Sequence, residues 1–263
     1  MPDVADRTLQ PTRRVIGDVD PAQPLDTTHP LLRGLKGFWL PLPSLVGGSR
    51  LYDLFSGKNF SLLGGLGNSS WLQSSESPFA GVDVTGGDAR LSDQSGIFGG
   101  QNAATWLLVI DGTTSGSGNY IFSKYDTSGE RSWAIRQLNR RVQVNIGTSN
   151  GSAFERSKDL VRIGDYNGQA LVVTFDPSRD NDTHAITADE IKVADLNAGS
   201  LVASASDVVL GDRGDVGGGP WDGTVYAAAM MNIAVSDRHA KTLAHQAEAG
   251  FPDLLRTRSP APL

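Results

Sequence analysis

The chain has 263 residues, no cysteine and a formal net charge of −6, with 39% hydrophobic residues, 31 glycines and 13 prolines. The lack of cysteine excludes disulfides, thiolate metal sites and cysteine nucleophiles, and the negative charge gives no electrostatic basis for binding nucleic acid. No run approaches the ~18 consecutive apolar residues that span a membrane, and the acidic start predicts no secretion signal, so neither a membrane nor a secreted location is expected.

The first 34 residues differ in composition from the rest of the chain. Prolines recur in this segment, at Pro2, Pro11, Pro21, Pro24 and Pro30. Proline holds the backbone extended and removes amide donors, and few large apolar residues separate these prolines. We therefore expect an extended arm over residues 1–34 that a neighbouring subunit holds. Its expected assembly contacts are Arg13, Arg14, Val15 and Ile16.

Beyond the arm, short segments with the composition of β-strands recur between turn residues. Some are continuous apolar runs and others alternate apolar with polar residues. They cover residues 37–42, 51–52, 106–110, 120–125, 132–136, 142–146, 170–175, 190–193, 207–211 and 223–231. This pattern predicts an all-β domain over residues 35–255, built as a two-sheet antiparallel jelly-roll sandwich and followed by a short tail over 256–263.

One helix is predicted near the C-terminus. Ser236 is placed to act as its N-cap, and Gly250 is placed to end it. Its apolar stripe consists of Ala240, Leu243, Ala244 and Ala247. The stripe indicates a helix that packs against the edge of the sandwich.

Several short segments occur in an order that one family shares. They are Phe38-Trp39, Tyr52-Asp53, Trp106, Ile121-Phe122-Ser123-Lys124-Tyr125, Leu210-Gly211-Asp212-Arg213 and Trp221-Asp222-Gly223. Over roughly residues 30–255, this order resembles the laminin-G-like, concanavalin A-like jelly rolls, and residues 249–255 resemble the closing segment of phage-encoded members. The resemblance implies the jelly-roll fold. Proteins with this fold have different functions, from lectins to structural proteins.

Some relatives hold a structural calcium ion. The resemblance implies that an acidic residue on the strand over residues 223–231 would bind this ion. Here Tyr226 and Ala227 occupy the corresponding positions, whereas calcium requires about 6–8 oxygen ligands, several of them charged. Asp53 is thus the single candidate metal ligand, and it could equally be a residue that caps a turn. No cofactor is expected, with calcium as the open alternative.

Two segments partly match known catalytic arrangements. Jelly-roll glycanases carry a Glu-x-Asp-x-x-Glu strand, and residues 189–195 are the nearest match, with the wrong spacing for a carboxylate pair. Residues 147–151 match Gly-x-Ser-x-Gly, but no helix pattern follows, which indicates a hairpin loop. No catalytic residue is predicted, and the chain is expected not to be an enzyme.

A sugar site needs an exposed aromatic ring beside polar side chains on a rim. Trp221 lies in a glycine-rich segment with Asp212, Asp215 and Asp222, which makes it the best candidate platform. The alternative is that the Trp221 ring fills a place in the core.

Two functions follow from these observations. The first is a non-enzymatic structural protein of a phage particle, a capsid decoration or tail-associated surface protein that is assembled in the host cytoplasm and located in the virion. Its expected partners are the major capsid protein, other virion proteins or further copies of this chain. The alternative is a lectin-like, carbohydrate-binding module that recognises cell-surface glycans.

Overall fold

A computed structural model describes residues 25–41, 48–73, 80–93, 98–112, 119–125, 131–138, 141–147, 154–156, 161–162, 168–196, 199–213 and 220–255. The predicted assembly contacts Arg13, Arg14, Val15 and Ile16 lie outside the described residues. The same holds for the predicted tail over 256–263 and for Asp215 of the predicted sugar site.

The described residues consist mainly of short β-strands. In chain order the strands are β1 (Leu35–Trp39), β2 (Arg50–Leu51), β3 (Phe60–Leu63), β4 (Trp71–Gln73), β5 (Ala80–Asp83), β6 (Asp88–Leu91), β7 (Ala104–Gly112), β8 (Asn119–Tyr125), β9 (Arg131–Leu138), β10 (Arg141–Gly147), β11 (Phe154–Arg156), β12 (Val161–Arg162), β13 (Gln169–Phe175), β14 (Thr183–Ile186), β15 (Ile191–Ala194), β16 (Val208–Leu210) and β17 (Gly223–Met231). The helices of the described residues are α1 (Asp237–Glu248) and the two 3₁₀ turns Pro30–Leu32 and Asn68–Ser70.

The strands pair into two antiparallel sheets, which confirms the predicted sandwich. In the part of the chain that the structure describes, the first sheet has the order β15-β14-β13-β7-β17-β5-β4, with β1 also beside β17. The second has the order β11-β10-β9-β8-β16-β6-β3-β2, with β12 also beside β10. Each sheet combines neighbours that are consecutive in sequence, such as β9 and β10, with neighbours that are distant in sequence, such as β7 and β17.

Aromatic rings fill the space between the two sheets. The rings of Trp106 on β7 and Trp133 on β9 lie 5.2 Å apart between centroids, so they join one sheet to the other. Phe122 on β8 meets Trp133 edge-on at 4.8 Å. Trp39 and Phe60 form a similar edge-to-face pair at 4.8 Å. Such pairs stabilise a core by about 0.5–1.5 kcal/mol each beyond the burial of their area.

A second apolar layer covers the outer face of the first sheet. Helix α1 packs there, with its stripe Ala240, Leu243, Ala244 and Ala247 fully buried, as predicted. Ser236 caps its first turn, since its side chain accepts a hydrogen bond from the His239 amide. Gly250, at φ +87°, ends the helix in the left-handed conformation that glycine adopts without strain. Within the described residues, no helix has the length and apolar character needed to cross a membrane.

The last ten residues of the predicted arm contact this chain's own core. Leu25 is buried and pairs with Leu255 as an antiparallel bridge, and the Asp26 amide donates to the Leu254 carbonyl over 2.8 Å. Leu32 is buried in the same apolar layer as α1. The segment from residue 25 to residue 34 is therefore part of the folded domain.

The strands β1 and β2, which open the family-like pattern, belong to different sheets. β1 pairs with β17 in the first sheet, and β2 pairs with β3 in the second. An isolated bridge between Trp39 and Asp53 joins the two sheets at this point. Gly37 leaves room for the Trp39 ring, because a Cβ atom there would collide with it.

Candidate functional site

The ring of Trp221 lies in the core between the sheets and is 1% exposed. Its Nε1 donates a hydrogen bond to Oε1 of Gln137 over 2.6 Å. Glycines leave room for the ring, since a Cβ atom at Gly112 would come within 2.9 Å of it. This placement agrees with the alternative that Trp221 fills the core. It also means that no sugar can stack on this ring from solvent in this conformation.

Two of the carboxylates predicted beside Trp221, Asp212 and Asp222, lie among the described residues. Asp212 is half-buried just after β16, and its Oδ1 accepts from the Arg213 amide over 2.8 Å. Burial is the largest influence on the Asp212 carboxyl and raises its pKa, with Asp88 adding to the effect and Arg90 and Arg213 opposing it. Asp222 is half-buried as well.

Asp53 serves the chain as a turn cap. Its Oδ1 accepts from the amides of Phe38 and Phe55, both over 2.9 Å. Its Oδ2 accepts from the amide and hydroxyl of Ser56 and from the Lys58 amide. Five donors thus already saturate the oxygens that calcium would need. Among the described residues there is also no group of three or more acids or histidines arranged to hold a metal ion.

The outer face of the second sheet carries a group of aromatic and basic side chains that the sequence analysis missed. We call it the Tyr–Arg cluster, and its members are Tyr120, Tyr125, Arg131, Arg136 and Arg213. The two tyrosine rings are stacked, with 5.6 Å between centroids and 22° between planes. The guanidinium carbons of Arg136 and Arg213 lie 5.1 and 5.9 Å from the Tyr120 centroid. That of Arg131 lies 5.6 Å from the Tyr125 centroid.

Strand register explains why Arg136 faces outward. Its neighbour Ile135 belongs to the core between the sheets, and successive side chains of a strand point to opposite faces. Tyr120 on β8, Arg136 on β9 and Gln143 on β10 are directly paired, which places their side chains in one row across three strands. The amides Gln143 and Asn145 thereby lie beside the arginine on the same face, both largely buried.

An irregularity in β8 brings the two tyrosines together. Both Ile121 and Phe122 face the core, and the register of β8 against β9 shifts between Tyr120 and Phe122. A second shift falls between Lys124 and Tyr125. Such bulges insert a residue and redirect the side chains that follow, which a regular alternation pattern in the sequence does not reveal. Tyr120 and Arg136 lie on segments that were correctly predicted as strands. This was the only signal of the cluster in the sequence.

The cluster combines donors with a ring face in a partly desolvated setting. Tyr125 and all three arginines are half-buried, and Tyr120 lies beneath them. Burial is the main cause that raises the pKa of Tyr125, and a hydrogen bond with Tyr120 adds to it, whereas Arg131 and Arg213 lower it. The Tyr125 hydroxyl is therefore neutral at physiological pH. The cluster offers cationic forks, a neutral hydroxyl and a ring within one small area.

No protein-family model and no curated protein matches this chain. Solved structures do share its fold. A sialidase from Trypanosoma rangeli is 12% identical, with a TM-score of 0.53, and the match covers 81% of this chain and 33% of the sialidase. Botulinum neurotoxin type C, in a structure concerned with its interaction with two ganglioside molecules, is 10% identical with a TM-score of 0.54, covering 82% of this chain and 52% of the toxin chain.

A receptor-binding domain of botulinum neurotoxin mosaic serotype C/D is similar too, at 10% identity and a TM-score of 0.53 over 81% of this chain. This chain spans about a third of the sialidase and about half of the toxin chains. At such identities the likeness concerns the fold, and it confirms the jelly-roll-like β-sandwich class.

The similar structures also correct one expectation. The chain was expected not to be an enzyme because it lacks the carboxylate strand of jelly-roll glycanases. Since chains that contain this fold include sialidases, the expectation is wrong: the missing strand excludes one catalytic arrangement and not catalysis in general. Nor does a likeness at 12% identity establish an enzymatic activity.

Proposed function

We propose that the chain is a carbohydrate-binding module and that the Tyr–Arg cluster is its binding surface. The observation that carries the proposal is the stacked pair Tyr120 and Tyr125 with guanidinium groups within 6 Å of both rings, on the outer face of a β-sandwich. Support also comes from the similar structures, which include a sialidase with sialic acid and a toxin described with gangliosides.

The chemistry of the cluster matches what a sugar presents. A pyranose has one apolar face of C–H groups that can lie against an aromatic ring such as Tyr125, and a rim of hydroxyls that accept and donate hydrogen bonds. Arginine provides hydrogen-bond donors in a fixed fork. These groups converge on one face, as they do in small-molecule sites generally.

The predicted place of the chain in a phage particle draws no support from the similar structures and stays a sequence-based prediction. The same is true of its finer assignment to the phage-encoded laminin-G-like type. A glycan-binding face and a place on a particle surface are compatible, and the proposal for the Tyr–Arg cluster depends on neither.

A glycan array with the wild type and matched arginine variants tests the proposal. Arg136→Ala removes the central guanidinium of the cluster, and Arg238→Ala makes the same change on the exposed surface of α1, across the first sheet. We expect the wild type and Arg238→Ala to bind the same glycans and Arg136→Ala to lose them. Binding by none of the three proteins, or equal binding by all three, would overturn the proposed function.

A further inference from the structure

On the basis of the proposed function, we infer that the ligand is an acidic glycan whose carboxylate or sulfate group is bound by Arg131, Arg136 and Arg213. Three guanidinium groups arranged around one pair of stacked rings concentrate positive charge on a chain whose formal charge is −6. The formal charge of the three arginines is opposite in sign to that of the protein as a whole. Asp212 beside Arg213 offsets part of this charge, and the planar forks of the arginines suit an anionic group.

The three arginines are positioned by different parts of the second sheet. Arg131 begins β9 and is paired with Tyr125, whereas Arg136 lies further along β9, paired with Tyr120. Arg213 follows β16, where the Ser123 hydroxyl donates to the carbonyl of the preceding Asp212 over 2.9 Å. Because neighbouring strands hold them, the guanidinium groups are preorganised, and less side-chain entropy is lost when they bind an anion.

Partial burial strengthens the attraction. Charge-assisted hydrogen bonds from arginine to a carboxylate or a sulfate are stronger than neutral ones, and removal of water increases the electrostatic part. All three arginines are half-buried, so they can reach a ligand and are partly shielded from solvent. The neutral Tyr125 hydroxyl adds no repulsive charge to an anionic ligand.

The test compares acidic glycans with their neutral counterparts. The ligands are sialylated, uronic-acid-containing and sulfated glycans, each with a counterpart that lacks the acidic group. They are titrated into the wild type, Arg136→Gln, Arg136→Lys and the control Arg238→Gln. We expect at least about ten-fold tighter binding of one acidic class than of its neutral counterpart, a difference that Arg136→Gln removes and Arg136→Lys reduces. High salt should lower the affinity for the acidic glycan and leave the affinity for its neutral counterpart unchanged.

Each outcome decides a separate point. A preference for carboxylated or for sulfated glycans identifies the source of the negative charge. Equal binding of acidic and neutral glycans, lost in Tyr125→Ala, would overturn the inference and leave the proposed function standing. Binding of no glycan by a wild-type protein that melts cooperatively would overturn both. A preference for acidic glycans that persists in Arg136→Gln and in Arg213→Gln would overturn the assignment to these arginines.

Discussion

Lys124 and Asp93 form an ion pair in the interior of the domain, with 3.1 Å between Nζ and Oδ2 and both side chains fully buried. The Lys124 ammonium also donates to the backbone carbonyls of Asp93 and Ser206, over 3.2 and 2.7 Å. Asp93 in turn accepts from the Phe98 amide over 2.9 Å. A charge that is buried in this way needs such partners, because its desolvation is costly. The pair thereby ties two connecting segments to β8, the strand that carries Tyr120 and Tyr125.

Breaking this pair from one side should destabilise the domain strongly. Lys124→Met leaves the Asp93 carboxylate buried without its main partner, for which we expect a loss of about 3–5 kcal/mol in the free energy of unfolding. The double variant Lys124→Met/Asp93→Leu removes both charges and should recover part of that loss. Urea denaturation of the three proteins measures the difference. A single variant as stable as the wild type would contradict the buried ion pair.

Trp221 should affect stability more than binding. Trp221→Ala leaves a cavity in the core and should cost about 3–5 kcal/mol, whereas Trp221→Phe fills most of the space and mainly removes the donor to Gln137, at about 1–3 kcal/mol. We expect Trp221→Phe to retain glycan binding. Loss of binding in a folded Trp221→Phe protein would instead support the original expectation that this ring contacts a sugar.

Asp212 should make stability depend on pH. Its carboxyl pKa in the folded protein lies above the unfolded value of about 3.9, chiefly through burial. Its contribution is therefore fully present below that value and is lost as the pH rises through the folded pKa. Asp212→Asn should gain stability relative to the wild type as the pH rises from about 4 to 7. Unfolding measured across this range, with Asp222→Asn as the matched control, checks the direction. A relative gain that shrinks with pH would contradict it.

Helix α1 is anchored by a polar contact at its first residue. Asp237 Oδ1 lies 2.8 Å from Nδ1 of His184 and 3.5 Å from Nη1 of Arg179. Because this contact is partly exposed, Asp237→Ala should cost no more than about 1 kcal/mol. Asp180→Ala, an exposed aspartate near the same segment, should have no effect. Thermal melting measures both, and glycan binding should not change, since α1 lies on the far side of the first sheet.

Much of the fold could be predicted because local patterns there agree with the tertiary structure. The run from Trp106 to Ile110 is continuously apolar since β7 is covered on both faces, by the second sheet and by α1. The helix cap at Ser236 could also be predicted, because capping depends on residues that are close in the sequence.

The site could not be predicted, because it depends on long-range contacts. Trp221 is buried against Gln137, 84 residues away, which no local pattern reveals. The Tyr–Arg cluster depends on register shifts in β8 and on Arg213, which joins it from the segment after β16. Residues 120–125 were correctly predicted as a strand, but the bulges decide which of their side chains face outward.

The most direct test of the central proposal is a calorimetric titration of an array-positive glycan into the wild type and into Tyr125→Ala, Arg136→Ala and Arg238→Ala. We expect Tyr125→Ala and Arg136→Ala each to weaken the affinity at least about ten-fold, in proteins that still melt cooperatively, because each removes a direct contact. Arg238→Ala should bind as the wild type does. Wild-type affinity in both Tyr125→Ala and Arg136→Ala would contradict the assignment of glycan binding to the Tyr–Arg cluster.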